Sequence, residues 1–365
     1  MAFLIEPPIE PMLAKLAREF PDVEGLSFEP KWDGFRCLVF RDGENLFLQS
    51  RNAKPLLRYF PELVAPLSEC LPDRCVVDGE LVVMGDSGLD FDALQLRQHP
   101  ADSRVQRLAL EIPASFVAFD LLAVDDRVLL DDRFDARRAE LVERVEAGPS
   151  TLVTPATLDP SIGRDWFDRF EGAGFDGVIA KPIAGRYEPG KRTLLKVKHE
   201  RTCDCVVAGY RVHKDGAGVG SLLLGLHDDD GRLHHVGVAS SLDASTRAAL
   251  LAELEPRRDG ALATHPWREW AEFARPDGTA DPTHDTADPQ RMPGGFSRWN
   301  ATKDLSWEPI RLELVAEVAY EGLMGGRFRH NARLRRLRED RDPDSCRYSQ
   351  LAVVAPAELR SLLAP

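Results

Sequence analysis

Glu29-Pro30-Lys31-Trp32-Asp33-Gly34-Phe35-Arg36 is the stretch from which the rest of the chain can be read. A lysine stands just ahead of a predicted strand and is followed by Asp, Gly and Arg. An amine is a nucleophile only when deprotonated, and a pocket that holds other cations lowers its pKa by making one more positive charge costly. Arg36, Lys181, Lys196 and Lys198 are the candidate neighbours. A lysine so placed can attack phosphorus, although this segment alone fits a solvated lysine at a strand end equally well.

Working outward, Phe35–Phe40 and Asn45–Ser50 flank Asp42-Gly43, whose tolerance of positive φ suits a tight hairpin between antiparallel strands. Further strands are expected over Val76–Met84, Ser115–Leu122, Gly177–Lys181 and Leu194–Lys198, and apolar spacing predicts helices near Phe134–Glu146 and Asp165–Ala173. After His199 the rhythm changes to short strands with turns, over Cys203–Val212, Ser221–Leu226 and Leu233–Ala239, as in a small barrel. A helix over Asp243–Leu254, a Pro/Gly/Asp-rich mobile loop over Arg275–Gly295 and a final strand over Leu312–Tyr320 precede a basic tail. A domain boundary and hinge are expected at His199, giving domains 1–199 and 200–365.

The length of 365 residues agrees with two domains. Hydrophobic residues at 43% and charged residues at 29% exclude a disordered or membrane protein. The apolar run Met1–Ile5 stops at Glu6 and two prolines, too short for a signal segment, so a cytoplasmic chain with no membrane partner is expected. With 60 acids against 47 bases the net charge is -13, so any polyanion must meet a local basic surface. The six cysteines show no CxxC spacing, which indicates neither a zinc ribbon nor a disulfide framework.

Five more segments follow the lysine in order: Ser50-Arg51-Asn52, Asp78-Gly79-Glu80-Leu81, Phe119-Asp120-Leu121-Leu122, Asp176-Gly177-Val178-Ile179-Ala180-Lys181 and Leu195-Lys196-Val197-Lys198. Together with Lys31-Trp32-Asp33-Gly34-Phe35-Arg36 the chain resembles the covalent nucleotidyltransferase superfamily of ATP-dependent DNA ligases, RNA ligases and mRNA capping enzymes. Arg336-Leu337-Arg338-Glu339-Asp340-Arg341 resembles that superfamily's last motif. The resemblance is narrowest to the short two-domain bacterial DNA ligases of the C type, on Phe328-Arg329-His330, Asp340-Arg341-Asp342-Pro343 and Cys346, and on the expectation that no DNA-binding domain precedes the catalytic one. It implies an α+β fold, with an ATP-grasp-like adenylyltransferase (nucleotidyltransferase) domain followed by an OB-fold β-barrel domain, and a nucleotide in the cleft between them.

It also implies roles. Lys31 would attack the α-phosphate of ATP, expel pyrophosphate and hold AMP as a phosphoramidate. Lys196 and Lys198, two apart on a strand, share a face and would direct two cations at one phosphate, completing the catalytic set. Glu29 would accept from the adenine amino group, Arg36 would bind ribose or phosphate, Phe119 would stack on the base, and Lys181 would face the α-phosphate. Glu80 would bind a ribose hydroxyl or metal. Asp176 stands where the family usually has Glu, one methylene shorter; Mg2+ or Mn2+ accepts either carboxylate, so Glu80 and Asp176 are the candidate metal ligands.

Seven arginines, Arg327, Arg329, Arg333, Arg335, Arg336, Arg338 and Arg341, face only Glu339 and Asp340 in the local sequence, and the planar guanidinium fork suits phosphate. Arg336, Arg338 and Arg341 are expected on the nucleotide, and Arg327 and Arg329 on DNA. Arg51 and Arg192 are candidates for the nick's 5'-phosphate, Arg51 with a place in the nucleotide site as well. The expected activity is ATP-dependent sealing of nicked double-stranded DNA, by a monomer. The alternatives are an RNA ligase or capping enzyme of the same superfamily and, from another class, an inactive nucleic-acid-binding protein. An NAD-dependent ligase is disfavoured by the short chain and the absence of four clustered cysteines.

Overall fold

The computed structural model describes residues 3–85, 88–273 and 306–351. The chain parts into two compact units, one ending at His199 and one beginning at Glu200. The expected loop over Arg275–Gly295 lies outside the described residues.

In the first unit the strands are β1 (Leu13–Leu16), β2 (Leu26–Pro30), β3 (Phe35–Asp42), β4 (Asn45–Ser50), β5 (Arg74–Val82), β6 (Ser115–Val124), β7 (Thr151–Val153), β8 (Val178–Pro182) and β9 (Arg192–Val197). They form two sheets. One is ordered β1-β9-β8-β2, with β1 parallel to β9 and the other pairs antiparallel. The second is ordered β7-β6-β5-β3-β4, with β7 parallel to β6, and a short strand at Arg127–Val128 also pairs with β6. The β3–β4 hairpin closes with Asp42 opposite Asn45, which leaves Gly43 and Glu44 as the turn; Gly43, at φ +61°, supplies the positive φ that a two-residue turn requires.

Alternation along β3 and β5 sorts side chains onto two faces. Cys37, Val39, Val77 and Leu81 pack with Leu67 of helix α1 (Val64–Cys70) and Leu141 of α2 (Phe134–Arg144). Leu38, Phe40 and Val76 turn the other way and meet Leu194 of the first sheet together with Met12, just ahead of β1, and Tyr187, between β8 and β9. The interior between the sheets is therefore apolar at one end. Arg36, Asp78 and Glu80 continue those same faces and make the other end polar.

The predicted helix near Asp165 starts earlier than expected. Asp159 caps it by accepting the Ser161 N–H, Pro160 takes the first helical position, and α3 runs over Pro160–Arg169 before a 3-10 turn over Phe170–Ala173.

The second unit holds β10 (Arg201–Val212), β11 (Val219–His227), β12 (Leu233–Ala239), helix α4 (Ala244–Leu254), β13 (Val315–Tyr320) and β14 (Arg333–Arg338). Its main sheet is ordered β12-β11-β10-β13-β14, and all pairs are antiparallel. The expected barrel is corrected in one respect: among the described residues the sheet is not continuously closed. One parallel bridge, Ala239 to Ala332, joins its edges, with Ala332 N–H donating to the Val238 carbonyl at 2.9 Å. The basic tail is a second correction, since Arg333–Arg338 is an edge strand and the strand over Val315–Tyr320 is not the last. Its arginines masked that reading; Leu334 and Leu337 supply the apolar contacts that seat it on the core.

Candidate active site

β2 delivers Glu29 and ends at Pro30, which has no N–H with which to continue a ladder. The next residue is pinned by backbone instead: Lys31 N–H donates to the Gly177 carbonyl at 2.8 Å, and Asp176 N–H donates to the Lys31 carbonyl at 3.0 Å. Gly177 has φ +127°, and a Cβ there would lie 1.9 Å from the Val197 carbonyl oxygen, so only glycine permits the turn. This brings the Lys31 and Asp176 side chains together, with Lys31 Nζ 2.7 Å from Asp176 Oδ2. Lys198 Nζ lies 2.8 Å from the same oxygen. Burial pushes the Asp176 carboxyl up, but Lys31 and Lys198 outweigh it and hold the group below the usual aspartate range.

A second cluster surrounds Phe119. Arg36 binds Asp78 through two bonds of 2.6 and 2.5 Å and donates to the Met12 carbonyl at 3.2 Å. Its guanidinium carbon lies 4.5 Å from the Phe119 ring centroid. Tyr187 donates from its hydroxyl to Asp78 at 2.6 Å while accepting Met12 N–H at 3.0 Å. Burial works against the Arg36 charge, yet Asp78 dominates and raises its pKa. Glu80 stands opposite Arg36 in register. Burial pushes its carboxyl up to about 7, against the pull of Arg36 and Lys31.

Glu29 and Lys181 form a third, fully buried pair at 2.8 Å, each 3% exposed. Lys181 also donates to the Phe119 carbonyl at 2.8 Å, and its ammonium lies 4.9 and 4.7 Å from the Phe119 and Phe134 ring centroids. Burial raises the Glu29 carboxyl, with Lys181 and Arg138 opposing. Its Oε1 has no hydrogen-bond partner. Lys181, expected to face the α-phosphate, stands diagonally across β2 and β8 from Glu29, which brings the two side chains together.

Lys196 shares the face of Leu194 on β9, on the intersheet side, and is half-buried. Arg51 is exposed in the turn after β4. Arg192 is exposed at the start of β9 and donates to the Ala14 carbonyl at 3.3 Å.

In the second unit the arginines meet more carboxylates than the local sequence offers. Arg333 and Arg335 bind Glu200, and Arg336 binds Glu317 at 2.7 Å. Arg338 grips Asp340 at 2.8 and 2.7 Å, and Arg341 lies 3.6 Å from Asp204. Glu317 comes from β13, the strand paired with β14, Asp204 from β10 and Glu200 from the position just ahead of β10, all remote in sequence. Arg327 lies on a short strand, Arg327–Phe328, paired with Leu323–Met324, and Arg329 follows it, its N–H donating to the Gly322 carbonyl at 3.0 Å.

Sequence reasoning missed Tyr187 and Asp78 as the supports of Arg36. It also missed the buried Arg137–Asp120 pair at 2.8 and 3.0 Å, which holds the residue after Phe119. Asp78 was visible in its motif, but nothing in Arg186-Tyr187-Glu188 marks the tyrosine. Among the described residues no helix is long and apolar enough to cross a membrane.

The family model described as ATP dependent DNA ligase domain matches residues 11–198, and that described as ATP dependent DNA ligase C terminal region matches residues 215–341. The chain belongs to the ATP-dependent DNA ligases. It is 52% identical over 349 residues to DNA ligase C2 of Mycolicibacterium smegmatis, covering 94% of each chain. It is 51% identical over 359 residues to DNA ligase C of Mycobacterium tuberculosis, covering 96% of each. A solved Lig E DNA ligase, 16% identical with TM-score 0.54, shares the fold over 90% of this chain and 99% of its own. The ligase is thus a short bacterial-type enzyme that uses ATP and acts on DNA, with a nucleotidyltransferase fold joined to an OB-fold.

Proposed function

We propose that this ligase seals nicks with a 3'-hydroxyl and a 5'-phosphate in duplex DNA, through a lysyl-AMP on Lys31 and then a DNA-adenylate. Residues 1–199 act as the adenylyltransferase domain and residues 200–365 as the OB-fold domain. The observation that carries the reading is the junction at Asp176, where one carboxylate oxygen takes both Lys31 and Lys198. Such a junction fixes the amine at one point in space, and a reacting atom held in position is a large part of catalysis.

In the first step the Lys31 nitrogen, having lost its proton, bonds to the α-phosphorus as the bond from that phosphorus to the bridging oxygen breaks. Pyrophosphate leaves with the electron pair. Lys198 and Lys196 meet the charge that grows on the phosphate oxygens. The adenine lies on Phe119 with its amino group at Glu29, whose unpartnered buried Oε1 is an acceptor awaiting a donor. Arg36, fixed by Asp78, reaches the ribose or phosphate, with Arg51 at the nucleotide's edge. Arg336, Arg338 and Arg341 neutralise the departing pyrophosphate. In the later steps the AMP passes to the 5'-phosphate, held by Arg51 and Arg192, and the 3'-hydroxyl displaces it; Arg327 and Arg329 hold the duplex backbone.

The chemistry of the carboxylates also suits a divalent cation. Among the described residues no three such side chains converge as a closed metal site. Glu80 and Asp176 offer hard oxygen donors, and Mg2+ takes one or two carboxylates together with substrate phosphates. Bound there, Mg2+ or Mn2+ would offset phosphate charge. We propose further that the enzyme works as a monomer in the cytoplasm of a bacterium.

Incubation with ATP followed by peptide mass spectrometry tests the reading. An AMP adduct on the peptide that contains Lys31 is expected, and an adduct elsewhere overturns the assignment.

A further inference from the structure

Lys198, whose ammonium meets Asp176, stands one residue beyond the end of β9 at Val197. The ladder that fixes Lys196 stops short of it, and the chain passes into the second unit one residue later, after His199. The aim of Lys198 therefore depends on what fixes the backbone to either side. On one side the Val197 carbonyl is pressed against the turn at Gly177, where a Cβ would lie 1.9 Å from its oxygen. On the other side stands His199.

His199 is bound twice by one residue. Its ring lies face to face with the Phe167 ring, with centroids 3.7 Å apart and planes 15° apart. Its Nε2 lies 2.7 Å from the Phe167 carbonyl oxygen, and since a carbonyl only accepts, Nε2 carries the hydrogen. Phe167 belongs to the last turn of α3, where helix carbonyls lack the donors that the next turn would have supplied. A stack alone would let the ring slide, and a hydrogen bond alone would let it turn; the two together fix it.

The helix that holds His199 is itself seated on β2. Gly163 of α3 lies against Phe28, where a Cβ would stand 2.8 Å from the ring. Phe20 stacks on Phe28 at 5.2 Å and meets the Phe167 ring edge to face at 6.3 Å. Phe28 is wholly buried on β2, in the same strand as Glu29 and just ahead of Lys31. The strand that leads to the nucleophile thus also sets the place of the histidine beside Lys198.

We infer that His199 is a positioning residue for adenylation. By tying the backbone just past Lys198 to the frame that carries Lys31, it keeps the Lys198 ammonium where charge grows on the α-phosphate. This rests on the reading that Lys198 meets that phosphate while Lys31 becomes lysyl-AMP, and it gives a chemical task to a residue that the sequence marks only as a boundary.

The test measures the rate of AMP transfer to Lys31 at saturating ATP in the intact enzyme, in a cycle of His199→Ala, Lys198→Ala and the two together. His199→Ala should lose about 10- to 100-fold, the scale of a misplacement on the order of 1 Å. It should lose no more than about twofold further when Lys198 is already alanine, because its effect passes through that ammonium, whereas an independent effect on folding would multiply with the loss from Lys198→Ala. Phe167→Leu removes the ring face and keeps the carbonyl; a smaller loss with the same dependence on Lys198 is expected, and this variant serves if His199→Ala does not fold. If Lys198→Ala leaves too little adduct to time, Lys198→Arg, which keeps the charge on a head of different shape, takes its place with the same expectation. Parent-like adenylation by His199→Ala, or losses that multiply, overturns the inference and leaves Lys198 on the phosphate. Parent-like adenylation by Lys198→Ala overturns the reading itself, and the inference with it.

Discussion

Around Lys31 the charged groups are packed between two sheets and matched to one another, whereas along β14 they lie exposed on an edge strand and pair with carboxylates borrowed from other strands. Lys31, Asp176 and Lys198 are 21, 18 and 12% exposed, while Arg333, Arg335 and Arg336 are 53, 44 and 64% exposed. Exposed ion pairs are worth about 0–1 kcal/mol, so the second set can exchange carboxylates for phosphate oxygens with little loss. Removing one partner of a buried pair leaves an uncompensated charge, a change of about 3–5 kcal/mol in deep sites. The first unit is thus suited to fix a reacting atom, and the second to release and regain anions.

The sharpest way to break this contrast is at the nucleophile. Lys31→Ala should abolish the AMP adduct and nick sealing altogether, because no other amine shares its backbone anchors at Asp176 and Gly177; residual adduct seen by mass spectrometry would mean that the buried cluster is not where the chemistry occurs. Next is Asp176. Asp176→Asn keeps the shape and removes the charge that holds Lys31 and Lys198, and adenylation should fall by about 100-fold or more, the scale of losing one fixed electrostatic group in an active site. Asp176→Glu should retain much of the activity with an altered Mg2+ or Mn2+ requirement, measured by adduct formation across a metal titration. Parent-like rates for Asp176→Asn would remove the carboxylate from the mechanism.

On the exposed side the effects should be smaller and confined to one step. Arg336→Ala combined with Arg341→Ala should slow adenylation by about tenfold or more while sparing the sealing of a chemically pre-adenylated nick, since the cations are needed where pyrophosphate leaves. Equal losses in both assays would assign this strand to DNA binding or to folding.

The smallest effect sits in the second unit's interior. His235 on β12 is buried against Trp267, and both ring nitrogens lack partners. Burial, with Arg327 and Arg211 adding repulsion, lowers its pKa from 6.5 to about 3. The unfolded chain therefore binds the proton more readily, and stability present above pH 6.5 is lost as pH falls towards 3. Between pH 7 and pH 5 the loss should be about 2 kcal/mol, and His235→Phe should abolish that share of the pH dependence in denaturant titrations. An unchanged slope would show that His235 titrates normally.

Much of this was legible before any coordinates. The hairpin after Lys31, the strand leading to Lys196 and the chemistry of the ordered motifs follow from turn residues, alternation and a recognisable set of charged positions. What escaped was long-range pairing. The arginine strand read as a tail because its apolar pair, Leu334 and Leu337, breaks strict alternation, as the register shift opposite Glu317 and Val318 requires. The Glu29–Lys181 pair also escaped, because position on a strand does not reveal a diagonal carboxylate. Tyr187 carries no signal at all: it acts through Met12 and Asp78, both far away in the chain.

The order in which the sheets are wired has a consequence for synthesis. Phe35–Asp42 and Asn45–Ser50 are neighbours in sequence and can pair as soon as they emerge from a ribosome. β2, which leads into Lys31, waits for Val178–Pro182, and Leu13–Leu16 waits for Arg192–Val197. Contacts this distant close last, and until then an apolar strand edge stays open to wrong partners. A nascent chain halted just before Asp176 would hold the strands of its five-stranded core, yet its lysine would have neither the carboxylate that aims it nor the wall against which ATP rests.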